Sequence, residues 1–353
     1  MRGSARLAGL GVVVGVAVGM VVFLAGCGGA DDEAGRAPVA AERPAPPPQA
    51  RAAESAAASA PGPVEEPAGA APVGGHAGSI QEDTIEMVQL DDVTVGPPED
   101  DRIPECVLRL EYTSGVDGRK DWALVWPPEG GSDWVVNLHG HGSTGDQLYT
   151  RGDIRRNWLP QFQERGMGIL TPNLRDNAWM GPAAAADLRA LLQYVRDEYG
   201  ASRFFFVSGS MGGAGNLVYA VLHPEDVSGV VAMCPAADVA AVQKRFAPHP
   251  PGGILRQIAD CIRDGYGGTP DEKPQVYQRH NALEHADRLT MPVYVAHGNA
   301  DTVLRIAGSR ALAAKCGDNL KYREIEKGGH DSPLAARYVE EGLKWVLDGE
   351  ATP

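Results

Sequence analysis

Along most of the chain, short continuous apolar runs alternate with stretches in which apolar residues recur every three or four positions. Phe204-Phe205-Phe206-Val207 predicts a buried strand, and Leu217, Val218, Val221 and Leu222 after it give a helical face. Trp134–Leu138, Gly168–Pro172, Gly229–Met233, Pro292–Ala296 and Leu320–Ile325 read as further strands. Between them, helices are expected over Asp153–Arg165, Asp187–Tyr199 and Val303–Cys316, with a closing helix that holds Leu334, Tyr338, Leu343, Trp345 and Val346. Ile80–Val95, Cys106–Tyr112 and Trp122–Trp126 read as outer strands. Near-continuous apolar strands are those covered on both faces, so the rhythm predicts an α/β fold with a mostly parallel, doubly wound sheet. Between Pro235 and Arg288 the rhythm breaks. Ile254, Ile258 and Ile262 line one helical face there, and the remainder is punctuated by Pro248, Pro250, Pro251, Gly252 and Gly253. This segment, about 235–288, is read as a cap over the strand ends.

The start of the chain has a different character. Arg2 and Arg6 precede an uncharged run from Leu7 to Gly26, which ends in Leu24-Ala25-Gly26-Cys27. A positive start, an apolar stretch and small residues before a cut mark a secretory signal. The last four residues resemble the lipobox of bacterial lipoproteins. That resemblance implies a signal peptide over 1–26, cleavage before Cys27 and lipid on that cysteine. The product would be exported and anchored to the cell-envelope membrane, on its periplasmic or surface side. The bland alternative is an uncleaved membrane helix. Residues 27–79 are dominated by Ala and Pro, as in Pro46-Pro47-Pro48 and Ala56-Ala57-Ala58, and cannot bury a core. They read as a disordered tether, which leaves 80–353 as one large domain.

Composition narrows the partners. The 353-residue chain carries a net charge of −14 and no basic cluster outside the signal segment, which argues against nucleic acid. Besides Cys27 there are Cys106, Cys234, Cys261 and Cys316, compatible with disulfides in three connectivities or with buried thiols. No pair has metal-ligand spacing, and neither metal nor cofactor is expected.

The candidate chemistry follows the predicted strands. Ser208-Gly209-Ser210-Met211-Gly212-Gly213 forms a turn of small residues between strand and helix, the setting that exposes a serine hydroxyl at a sheet's edge. The expected pattern is G-x-S-x-G, and Ser208 stands where the first glycine would be. Leu138-His139-Gly140-His141-Gly142, His297-Gly298-Asn299-Ala300-Asp301 and Gly329-His330 also follow strands. Ligands in parallel sheets sit outside the carboxyl ends of the strands, so these loops are expected to converge. A serine needs a base to take its proton, and histidine serves as that base when a carboxylate orients its far ring nitrogen.

The four motifs, in the order Ser210…Asp301…His330, resemble those of the α/β-hydrolases from about Cys106 to Leu347. The resemblance implies Ser210 as nucleophile, Asp301 as orienting acid and His330 as base. It also implies an oxyanion hole made by the backbone N–H of Met211 and one from the loop after Leu138, His141 being preferred to Gly142. Asp331 adjoins His330 and its side chain diverges from the ring, and Asp287 lies at the wrong end of its strand. His297 reads as a core or turn hydrogen-bonder, His223 as a helix terminus, and His285 lacks a carboxylate at a strand end. The likeness implies a serine hydrolase that cleaves carboxylic esters through an acyl-enzyme, with a prolyl-oligopeptidase-like peptidase as the alternative. The tether in place of a peptidase's N-terminal propeller favours the esterase. A surface-binding lipoprotein with a decayed hydrolase fold is a third reading.

Overall fold

A computed structural model describes residues 88–348, and the signal segment, Cys27, the tether and the predicted strand start at Ile80 all lie outside them. In chain order the elements are β1 (Leu90–Gly96), β2 (Leu108–Ser114), β3 (Lys120–Trp126), β4 (Asp133–Val136), α1 (Gln147–Thr150), α2 (Gly152–Gln163), β5 (Gly168–Pro172) and α3 (Pro182–Tyr199). Then come β6 (Arg203–Gly209), α4 (Met211–Leu222), β7 (Gly229–Met233), α5 (Val239–Phe246), α6 (Ile254–Gly265), α7 (Pro274–Arg279), β8 (Val293–Gly298), α8 (Ala307–Cys316), β9 (Leu320–Ile325) and α9 (Ala336–Asp348). The nine strands form one sheet in the order β1-β2-β3-β5-β4-β6-β7-β8-β9. β1 and β2 pair antiparallel with each other, as do β2 with β3 and β3 with β5. From β5 to β9 every pairing is parallel.

The apolar runs are buried on both faces, as their lack of alternation requires. Phe204 and Phe206 point into the core shared with α3, α4, α8 and the 239–279 helices, while Phe205 and Val207 enter the core under α2 and α9. β4 leads to β5 on one side, and β6, on its other side, leads to β7. Their connections diverge, so a crevice opens between the two loops that follow β4 and β6.

Several expectations shift. α3 begins at Pro182, five residues before the predicted start, because Pro at the first helical position and four alanines extend it without adding periodicity. α8 begins at Ala307 rather than Val303, because the amides of Val303 and Leu304 instead bind the Asp301 carboxylate at 2.8 and 2.9 Å. In the 235–288 segment Ile258 and Ile262 are buried but Ile254 is 57% exposed. Val239, Val242, Phe246, Ile258, Ile262, Tyr266 and Tyr277 from this segment pack into the main core. Cys234, Cys261 and Cys316 are unbridged thiols. No helix among the described residues is long and apolar enough to cross a membrane.

Candidate active site

β6 ends in the turn that carries Ser210, whose backbone sits at φ 56°, ψ −122°, a left-handed conformation that is strained for a residue with a side chain. The turn is held by Ser210 N–H donating to Met233 O at 2.8 Å and by Ala214 N–H donating to Ser210 O at 2.9 Å. At Gly212 a Cβ would fall on the Leu138 carbonyl oxygen, so this position admits no side chain. The serine that replaces the first glycine of the pattern has its own function in the fold. Ser208 Oγ is fully buried, accepts from Leu138 N–H at 2.8 Å and donates to Asn216 Oδ1 at 3.0 Å. It thereby joins the loop after β4 to the end of β6 and to helix α4.

The structure brings Ser210, Asp301 and His330 together. His330 Nε2 lies 2.9 Å from Ser210 Oγ, and His330 Nδ1 lies 2.7 Å from Asp301 Oδ2. The loops bearing Asp301 and His330 are tied by main chain: Ala300 N–H donates to Gly328 O, and Asn299 N–H to Ile325 O. A side chain at Gly298 would strike the Gly328 carbonyl, which explains the glycine there. Asp301 accepts four hydrogen bonds, from Val303 N, Leu304 N, His330 Nδ1 and His297 Nε2. Burial works against its charge, but the bonds from His297, His330 and the backbone outweigh it and hold the carboxyl well below the usual range. For His330, burial disfavours the imidazolium. The Asp301 hydrogen bond and the nearby Cys234 thiol outweigh that and raise its pKa above the ordinary histidine value.

The competing candidates lie elsewhere. Asp331 is 71% exposed and lies 3.7 Å from Arg151. His285 is half-buried, and its Nε2 lies 3.1 Å from the Gln278 carbonyl. His223, Glu225 and Asp226 are the one group of metal-capable donors among the described residues. Arg189 and Arg196 already hold both carboxylates, and Tyr219 also donates to Asp226, so a cation would have to displace two guanidiniums.

In the loop after β4, Gly140 N–H donates to Gln147 Oε1 at 2.9 Å and Gly142 N–H donates to Asn177 Oδ1 at 2.7 Å. The N–H of His141 between them, and that of Met211 at the start of α4, meet no acceptor among the described residues. The His141 ring accepts from Trp179 Nε1 at 3.2 Å, and burial lowers its pKa to about 4, so it is neutral near pH 7. Trp179 lies on a loop in which Leu174, Arg175, Asp176, Trp179 and Met180 all have φ between 49° and 62°. Arg175 anchors this loop through Asp187 (2.5 Å), Ser114 (2.7 Å) and Asp117 (2.8 Å). An apolar hollow lined by Leu138, Trp179, Met180, Met211 and Gly215 opens beside the turn. A larger hollow between β9 and α9, lined by Lys321, Arg337, Glu341 and Trp345, contains no serine, cysteine or histidine.

Sequence reasoning missed Ser208, Trp179 and the contact of His297 with Asp301. Only the motif's departure at Ser208 signalled any of them.

Residues 133–286, which contain both the loop after β4 and the serine turn, match the alpha/beta hydrolase fold family. The fold is that of the α/β-hydrolases. Solved structures agree with that fold. Fluorophosphonate-binding serine hydrolase F of Staphylococcus aureus superposes with a TM-score of 0.52 at 14% identity, over 68% of this chain and 97% of its own. An S-formylglutathione hydrolase from Agrobacterium tumefaciens gives 0.52 at 15% identity, over 74% and 99%. A puromycin hydrolase gives 0.52 at 18% identity over 67% of this chain, which corresponds to 38% of that protein. No curated protein matches the sequence.

Proposed function

We propose that this hydrolase cleaves carboxylic esters, with Ser210 as nucleophile, His330 as general base and acid, and Asp301 as the carboxylate that orients His330. The observation that carries the reading is the unbroken chain Ser210 Oγ–His330–Asp301, at 2.9 and 2.7 Å. With Asp301 accepting from Nδ1–H, the Nε2 lone pair faces the serine and takes its proton as Oγ attacks the ester carbonyl. The oxygen that becomes negative is received by the N–H groups of His141 and Met211. Losing one such donor raises the barrier by about 2.7–4 kcal/mol in a well-studied serine hydrolase. When the intermediate collapses, the C–O bond breaks and His330 returns the proton to the leaving alkoxide. The acyl group stays on Ser210. Water, deprotonated by His330, then releases the acid and restores the serine. The apolar hollow beside Met211 is small and would suit only a short acyl group.

Labelling with a fluorophosphonate tests the nucleophile. Stoichiometric modification of Ser210, lost in Ser210→Ala, is expected. An unlabelled, folded wild-type protein would instead favour the non-catalytic binding lipoprotein. Parallel assays on p-nitrophenyl acetate and a chromogenic peptide separate esterase from peptidase, and faster ester turnover is expected. We also propose export, with lipid on Cys27 placing the enzyme on the envelope membrane. This rests on Leu24-Ala25-Gly26-Cys27, and mass spectrometry of the mature N-terminus tests it.

A further inference from the structure

His297 is fully buried at the end of β8, and every polar atom of its ring is engaged. Nε2 lies 2.8 Å from the Leu304 carbonyl, which can only accept, and 3.1 Å from Asp301 Oδ2. Nε2 therefore carries a hydrogen. Nδ1 lies 2.8 Å from Ser309 Oγ, itself fully buried, whose hydroxyl donates to it in the neutral ring. The Leu304 carbonyl thus fixes a tautomer that presents an N–H to the carboxylate, and Ser309 satisfies the other ring nitrogen. Asp301 Oδ2 lies between two imidazoles, His330 at 2.7 Å and His297 at 3.1 Å.

Building on the triad reading above, we propose that His297 is a positioning residue that sets how strongly Asp301 draws on the His330 proton. A carboxylate oxygen shared between two donors binds each less tightly than it would bind one alone. His297 therefore tempers the pull of Asp301 on His330 and leaves the base free of its proton over a wider pH range. It also fixes the side of the carboxylate that faces His330, while the amides of Val303 and Leu304 fix the other. Other polar or charged groups facing this cluster are Ser210, the Cys234 thiol from the end of β7, Arg245 from α5 with its Nη2 on the Thr302 carbonyl, and the Arg151–Asp331 pair flanking His330. None is altered by the substitutions below.

Two substitutions separate the role from simple packing. The amide of Asn reaches only the Nδ1 side of the histidine slot, so His297→Asn keeps a partner for Ser309 and removes the donor to Asp301. Gln reaches the Nε2 side, so His297→Gln restores that donor. His297→Asn should lower kcat by about ten- to a hundredfold, the weight of one hydrogen bond to a charged group, with KM changing far less. Its acidic limb in kcat/KM should move up by about one pH unit. His297→Gln should stay within about threefold of wild type, with the wild-type limb. End-point fluorophosphonate labelling counts the folded sites in each protein, and a wild type that fails to label Ser210 would sink the triad reading instead. With labelling normal, the proposal is overturned if His297→Asn keeps the wild-type profile. It is equally overturned if His297→Gln loses as much as His297→Asn, or if the variants differ from wild type only by failing to fold.

Discussion

Ser208 Oγ accepts the Leu138 amide at 2.8 Å and donates to Asn216 Oδ1 at 3.0 Å, so one buried hydroxyl on β6 ties the loop after β4 to the helix that starts at the serine turn. A glycine at this position would satisfy the usual pattern of the serine turn and leave both groups unpaired. Asn137 adds a parallel tie, its Nδ2 donating to Val207 O at 2.6 Å. The loop after β4 is thereby fixed relative to Ser210 by side chains.

Ser208→Ala should therefore destabilise the protein by about 1–3 kcal/mol, since it strands the buried Leu138 N–H. It should also lower kcat more than it raises KM, because the His141 amide hangs from the same loop. Ser208→Gly should do no better, although it restores the common motif. Urea unfolding together with ester kinetics tests this, and unchanged stability in both variants would contradict it.

The strain at Ser210 gives a second prediction. Its φ of 56° suits glycine, whereas alanine keeps the Cβ that causes the strain. Ser210→Ala and Ser210→Gly should both be inactive. Relief of strain, of order 1–3 kcal/mol, outweighs the roughly 0.4–1 kcal/mol that glycine's chain entropy costs. The glycine variant should thus melt at least as high as the alanine variant. A clearly lower Tm for Ser210→Gly would show that the turn is not strained.

The parts of this molecule legible in its sequence are those fixed by local pattern. The bounds of β5, β7 and β9 coincide with the predicted strands; β5 and β7 are short apolar runs that begin at a glycine, and β5 ends at a proline. Ser210, Asp301 and His330 could be picked out because each follows a strand, and the sheet brings strand ends together. The start of α8 was not legible, because whether Val303 and Leu304 turn into a helix depends on a carboxylate that captures their amides. Nor was the choice between His141 and Gly142 decidable by composition. It turns on Gln147 and on Asn177, 35 residues away, which occupy the flanking amides. His297 reads in the sequence as a core or turn hydrogen-bonder, in keeping with its Ser309 and Leu304 bonds, but its contact with Asp301 has no signal in spacing.

Asp301 and Asp331 offer a direct comparison. Asp301 is buried and receives four donors, while Asp331 is largely exposed and lies 3.7 Å from Arg151. Asp301→Asn should lower kcat by orders of magnitude, about 10⁴ by analogy with a well-studied triad, with a much smaller change in KM. Asp331→Asn removes only a solvent-screened pair and should cost less than about tenfold. Both are measured on one ester, and a larger loss at Asp331 would reassign the acid.

The pH dependence tests the same pair with a definite sign. His330 acts as base only when neutral, and the Asp301 contact raises its pKa above the ordinary value of about 6.5. The kcat/KM for an uncharged ester should therefore climb with pH through an inflection above 6.5. Asp301, held well below the usual carboxylate range, stays ionised throughout and adds no second limb at mildly acidic pH. In Asp301→Asn the carboxylate is gone while the burial that disfavours the imidazolium remains, so the residual activity should inflect at lower pH than wild type. Loss of the His297 donor acts on the same histidine in the opposite direction. Measuring kcat/KM across pH 5 to about 10 for the three proteins gives the order of their inflections. An Asp301→Asn limb at or above the wild-type limb would show that Asp301 does not govern His330, even if turnover had fallen as predicted.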